Sequence, residues 1–247
     1  MKTVATVVSM FFCCVSLKAQ ITSSLVHAPD GRDEVRIRNA SQTALAAFAV
    51  AARSDSGVMG GSGFLVIYSD TVMDAKAQPL LPGEERQVLS QGMVRPASAP
   101  SRPHGPNHGL AEPVAAAGIF VDGSTTGDAA LLTRLLLRRS NMLAAVENAI
   151  DTLADAGNRN VPRAQLIDRF KKLSDSLSRW YLSQDQQIGR SVYLSIAGKL
   201  VDLPEEPLGS PFPPASFVRE ESAMLIRQRA ALMASQPNLG DTILIEK

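Results

Sequence analysis

The stretch IFVDGSTTGD, Ile119 to Asp128, divides the chain, because the spacing of apolar residues changes across it. Before it, apolar residues come in short runs or alternate with polar ones. After it they recur every three to four residues. The first pattern is that of strands and the second that of amphipathic helices. Within the stretch, Asp122-Gly123 closes a strand, Thr125 or Thr126 is placed to cap a helix, and Asp128 suits the positive end of its dipole. The same residues imitate a calcium loop, with Asp122, Ser124 and Thr126 at the first, third and fifth places and Gly127 at the sixth. The twelfth place belongs to a bidentate glutamate and here holds Thr133, so the structural junction is the better reading.

Upstream, Val35 and Ile37 alternate with Arg36 and Arg38 ahead of the turn residues Asn39-Ala40-Ser41, which predicts a half-buried strand. Gly63 to Tyr68 reads as a buried strand preceded by a glycine-rich hairpin turn at Gly57–Gly63. Leu80-Leu-Pro-Gly83 supplies a turn before the strand-like Arg86–Leu89, and Val114 to Val121 is a further apolar run. Thr43 to Arg53, TALAAFAVAAR, is contested: alanine favours helix, whereas the short length and strand neighbours favour strand. The context decides for strand. Pro96 to Pro113 carries five prolines and is read as a long loop of the β-half. Four or five short strands predict an antiparallel sandwich or partial barrel.

Downstream, Leu132, Leu136, Leu143, Val146, Ile150 and Leu153 line one side of a helix read from Asp128 to Ala156, about 43 Å long and ended by Gly157. Five leucines crowd its start, Leu131, Leu132, Leu135, Leu136 and Leu137, more than one stripe accepts, so part of them should dock on the sheet. A second helix follows, capped by Asn160, with Pro162 in its first turn and a stripe of Leu166, Phe170, Leu173, Leu177 and Trp180. A third is read from Asp185 to Val201, with Ser183 and Gln186 as a capping box, either separate or continuous with the second. A fourth covers Ala215 to Ser235 after the proline-rich connector Leu203–Pro214. The tail Thr242–Ile245 has strand-like residues suited to a sheet edge. The fold class is therefore α+β: an N-terminal antiparallel β-sandwich-like domain at 20–124, then an antiparallel helical hairpin or bundle of three or four helices at 125–247.

The N-terminus predicts export. Lys2 is followed by the uncharged run Val4–Leu17 and then by Lys18-Ala19-Gln20. A basic start, a short apolar core and a small residue are the parts of a signal peptide, read here as residues 1–19, and the run is too short to span a bilayer. Phe12 and Cys13 stand where a lipoprotein signal needs small residues before Cys14. Cys13 and Cys14 are the only cysteines, so a chain from Gln20 onward has neither disulfides nor thiol chemistry. The expected location is periplasmic or extracellular.

A net charge of +1, with 20% charged residues, gives no electrostatic case for nucleic acid or for membrane binding after signal removal. His27, His104 and His108 lack zinc-ligand spacing, and there is no Walker lysine and no G-x-G-x-x-G. Gly60-Gly61-Ser62-Gly63 fails as a nucleophile elbow, because Phe64 takes the place of the last glycine. Arg138-Arg139, Lys171-Lys172 and Trp180-Tyr181 read as solvated helix faces with one core aromatic. No catalytic, cofactor-binding or metal-binding residue is assigned, and no cofactor is expected.

VRIRNAS (Val35 to Ser41), LLPGE (Leu80 to Glu84) and the junction Ile119 to Asp128 together resemble uncharacterised secreted bacterial proteins with an N-terminal immunoglobulin-like β-domain. The resemblance implies a fold and a compartment, covers Val35 to Asp128, and carries over no catalytic residue. The expected function is that of an exported non-enzymatic protein, an interaction or structural module of the cell envelope whose partner is an envelope protein or polymer. The alternative is a carboxylate-dependent envelope hydrolase using Asp70, Asp74 and Asp122, since carboxylate pairs need no local motif.

Overall fold

A computed structural model describes residues 20–27, 33–54, 63–74, 76–91, 110–179, 182–204 and 211–235. Residues 1–19, most of the glycine-rich turn, His104, His108, Trp180, Tyr181 and the tail at 242–245 lie outside the described residues.

The fold is α+β, with the strands first and the helices after them. Seven strands form two antiparallel sheets. The first sheet has the order β1 (Ile21–His27), β2 (Asp33–Asn39), β5 (Glu85–Gln91). The second has the order β4 (Gly63–Asp70), β3 (Leu45–Ser54), β6 (Leu110–Phe120), β7 (Thr125–Gly127). The strands β1 and β7 were not anticipated: β1 has Thr-Ser-Ser in its middle, and β7 is three residues long. Val35 and Ile37 point into the sandwich and are fully buried, as their alternation required.

The contested alanine-rich segment is strand β3, and its two faces explain its composition. Leu45, Phe48, Val50 and Ala52 join Val35, Ile37, Leu80 and Phe120 between the sheets. Ala47, Ala49 and Ala51 face the other way, toward a helix. A shift of register against β6 between Leu45 and Ala47 puts Leu45 on the same side as Phe48. Only small side chains on the outer face let a helix lie close on the sheet, so tertiary contact overrides alanine's helical preference.

Where the sequence placed a loop up to Pro113, β6 already runs from Leu110. Pro113 sits opposite Ala52, where the β3–β6 register shifts on both sides, and a bulge tolerates a residue that cannot donate to the ladder. Asn39 is fully buried and organises both quoted turns. Its amide Nδ2 donates to the carbonyls of Thr43 and Leu80, each at 2.9 Å, and its Oδ1 accepts from Ser41 N at 3.0 Å.

Helix α1 (Ala129–Arg159) begins straight after β7. Asp128 is its N-cap and accepts from Leu131 N at 2.9 Å; Thr125 and Thr126, expected to cap it, are spent in the strand. Gly127 adopts φ +96°, and a Cβ there would run into the Ala116 carbonyl, so this tight turn from strand to helix needs glycine. The helix passes Gly157 and stops at Asn160, whose φ of 49° makes it the left-handed C-cap. Asn160 therefore closes α1 and does not cap the second helix.

The buried stripe of α1 runs through Leu132, Leu135, Arg139, Met142, Val146, Ala149, Leu153 and Ala156. Its first third packs on the sheet: Leu131, Leu132 and Leu135 join Ala47, Ala49, Ala51, Ala117 and Ile119. Leu136 flanks this cluster and Leu137 is exposed. The rest of the stripe forms the helical core with α2 (Arg163–Ser176), α3 (Arg190–Asp202) and α4 (Ala215–Ala234). In α2, Leu166 and Phe170 are buried and Leu173 is partly so. Helices α2 and α3 are separate. Asp185, read as the start of α3, lies in the turns between them, and Ser183 and Gln186 exchange their capping-box bonds around a turn instead of a helix end. Arg163, at the start of α2, donates to the last carbonyls of α3, Leu200 O at 2.7 Å and Val201 O at 2.9 Å, and so fixes the antiparallel pair.

Candidate functional site

Among the described residues, the densest polar chemistry lies on the seam between the second sheet and α1. Arg139 sits in the middle of an apolar stripe and is completely buried. Its Nε and Nη2 donate to the two carboxylate oxygens of Asp70, at 2.7 and 3.1 Å, and its Nη1 donates to the carbonyl of Ser235 at 2.6 Å. Asp70 ends β4, and its Oδ1 also accepts from Val72 N at 3.0 Å. One guanidinium thus ties the sheet, α1 and the end of α4. Removing an ion pair of this kind from water is expensive, and the forked geometry, with each of the three guanidinium nitrogens bonded to an acceptor, is what offsets the cost.

One turn earlier on α1 a second cluster closes around Asp185. Arg134 Nε donates to Asp185 Oδ2 at 2.7 Å, and Arg138 Nη1 to Oδ1 at 3.0 Å. The Tyr68 hydroxyl donates to Oδ2 at 3.3 Å, and Asn141 Nδ2 holds the Asp185 carbonyl at 3.0 Å. The Arg138 guanidinium lies over the Tyr68 ring, 4.0 Å from its centre. Burial opposes the charge on Asp185, and the hydrogen bonds from Arg134 and Arg138 outweigh it, so its carboxyl sits below the usual range. Burial, helped by the Asp185 charge, pushes the Tyr68 phenol up to about 12, which keeps it a neutral donor. The adjacent arginines at 138 and 139 are therefore not a solvated pair: both point into the seam. Lys171 and Lys172 are exposed as read, with Lys172 3.2 Å from Asp168.

The three acids of the hydrolase alternative have distinct places. Asp70 is buried against Arg139. Asp74 is exposed and accepts from Lys76 N at 2.8 Å. Asp122 is exposed in the β6–β7 turn and accepts from Ser124 N at 2.9 Å and Ser124 Oγ at 2.6 Å, bonds that lower its pKa. Asp70 ends β4 and Asp122 follows the end of β6, so the two stand at the same end of the second sheet with β3 between their strands. Thr133, at the twelfth place of the calcium-loop pattern, is on α1 and donates to the Ala129 carbonyl.

Sequence reading missed Glu221, Lys199 and Asp185, because partners on distant elements leave no local spacing. The one legible trace was Arg139 at a stripe position of α1. Two concavities lie among the described helices. An open groove of about 480 Å³ lies between α1 and α2, with Leu173 in its wall and Asp155, Arg169 and Lys172 around it; Arg169 Nη1 donates to Asp155 Oδ2 at 2.7 Å. A smaller cavity of about 170 Å³ lies between the turn after β4, α1, α3 and α4, beside the buried Glu221. Lys199 Nζ donates to both Glu221 oxygens, at 2.8 and 2.9 Å. Among the described residues no three His, Cys, Asp or Glu side chains gather as a metal site. Compared with protein-family models, with curated proteins and with solved structures, the chain matches none of them.

Proposed function

We propose that this chain is an exported protein of the cell envelope, periplasmic or extracellular, that works as an interaction or structural module and not as an enzyme. The observation that carries the proposal is the buried Arg139. It spends its charge on joining Asp70 and Ser235, so that sandwich and helices present their surfaces in one fixed arrangement. Preorganised surfaces lower the entropic cost of binding a partner. Export is supported by the basic start at Lys2 and the uncharged run Val4–Leu17.

The immunoglobulin-like reading of the β-half is supported by the strand order. First, second and fifth strands in one sheet and fourth, third, sixth and seventh in the other correspond to A-B-E and C′-C-F-G. The constant-type arrangement differs in giving its fourth strand to the first sheet.

The proposed partner is an envelope protein or polymer, and the α1–α2 groove, apolar in its wall and charged of both signs at its rim, is the surface offered to it. A photo-reactive side chain at Thr152, in the groove, tests this in the native envelope against the same group at Thr133, an exposed α1 position on the first turns. A discrete adduct with one partner from position 152 alone is expected. Equal labelling from both positions, or hydrolysis of an envelope polymer that Asp122→Asn or Asp74→Asn abolishes, overturns the reading.

A further inference from the structure

Helix α4 is apolar on two sides. Glu221, Leu225 and Leu232 are buried against the rest of the molecule, with Phe217 and Val218 packed beside them. On the other side Ala223, Ile226, Ala230 and Met233 form a second stripe, spaced by three, four and three residues, and all four are exposed. Ile226 is 45% exposed and Met233 57%. A helix that serves only its own core needs one apolar stripe, and this second one has the spacing of a seam between two helices.

The charges beside the stripe select its occupant. Glu220 and Arg227 flank it on one side, Ser222 and Arg229 on the other. Glu220 and Arg227 are both exposed, and among the described residues neither has an ion-pair partner. Helical neighbours lie three or four residues apart, so these two, seven apart, do not meet within one helix. In an antiparallel pair of helices related by a twofold axis, each flank meets the same flank of the other copy. With Ala223 of one copy opposite Ile226 of the other, Glu220 of each faces Arg227 of the other, and two opposite-charge pairs form at once. Arg219 then lays its stem on Ala230 of the other copy and keeps its guanidinium in water. Sliding the helices to set Ile226 opposite Ala230 instead places Arg227 against Arg227 and Arg229 against Arg229. A parallel pair gives Glu220 no basic partner. Opposed like charges exclude the second arrangement, and only the first rewards both signs. We propose that this face of α4 binds the same face of a second copy of the chain, antiparallel, in a twofold dimer centred between Ala223 and Ile226. None of these residues lines the α1–α2 groove, so the dimer stands apart from the partner proposed for that groove.

The test is sedimentation velocity on the chain as its host makes it, from about 1 µM to about 500 µM. A single monomer–dimer equilibrium is expected, with no larger species, because a twofold contact closes on itself. Ile226→Glu, at an exposed position, should keep the thermal transition and weaken the dimer roughly tenfold or more. Glu220→Arg and Arg227→Glu should each weaken it roughly tenfold, because each sets two like-charge pairs across the seam. The double variant makes the pairs opposite again and should return to the parent's affinity. Leu81→Glu, at an exposed position in a turn of the sandwich, serves as the control and should dimerise like the parent. A chain that stays monomeric throughout, a dimer indifferent to Ile226→Glu or to the charge variants, or charge losses that add in the double variant would overturn the proposal. Adsorption to vesicles of anionic lipid without self-association would assign the face to a membrane surface and overturn it as well.

Discussion

Arg139 on α1 grips both carboxylate oxygens of Asp70 at the end of β4, 69 residues away in the chain, with its guanidinium wholly out of water. Removing one partner leaves the other as an uncompensated buried charge, which costs about 3–5 kcal/mol. Arg139→Met and Asp70→Leu should each lower stability by that order in urea denaturation. The double variant should recover much of the loss, because an apolar pair leaves no charge stranded. Additive losses would show that the two residues do not act together.

Asp185 gives the protein a weakness toward acid. Its folded pKa lies below the unfolded value of about 3.9, so the stabilisation is present in full above that value. It is lost as pH falls through the folded pKa. Stability measured from pH 6 down to pH 2 should therefore decline below about pH 4 more steeply in the parent than in Asp185→Asn. Asp185→Asn itself should cost about 1–3 kcal/mol at neutral pH, since Arg134 remains 42% exposed and screened.

The junction between strand and helix depends on one backbone conformation. Gly127→Ala forces a Cβ toward the Ala116 carbonyl at φ +96°, and should destabilise by about 2–3 kcal/mol or more. Asp128→Ala removes only the bond to Leu131 N and should cost about 1 kcal/mol. Thermal melts of the two variants should rank in that order.

Sandwich and helices should melt in a single calorimetric transition. The buried Leu131, Leu132 and Leu135 are worth about 1.5–3 kcal/mol each against Ala47, Ala49 and Ala51, beyond the Asp70–Arg139 tie. Ala49→Leu should overpack this contact at a cost of about 1–3 kcal/mol. Two resolved transitions, with a chain ending at Ser124 folded and soluble alone, would mean that the halves are independent.

Calcium should leave the thermal transition unchanged. Asp122 Oδ1 is already engaged by Ser124, and the position that would close the coordination sphere is Thr133, bonded into α1. Melts with calcium and with chelator should coincide. A rise of several degrees that Asp122→Ala removes would show a cation site in the turn.

The sequence by itself determined the division at Ile119–Asp128, the strand identity of β2 and β4, and a second half of three or four helices, because each depends on a periodicity that neighbouring residues carry; that α2 and α3 are separate was decided only by the tertiary structure. It also indicated that the leucines at the start of α1 need two partners. Element ends were less legible: Asp128 displaced Thr125 and Thr126 as the cap, and Asn160 displaced Gly157 as the stop, because those roles are settled by backbone geometry that several residues can accept. The alanines of β3 were decided only by the helix lying on them. Arg139 is the clearest case. Beside Arg138 its charge reads as a solvated face, and only Asp70 on the sheet and Ser235 on α4, brought together by the fold, give a buried guanidinium the acceptors that make its place tolerable.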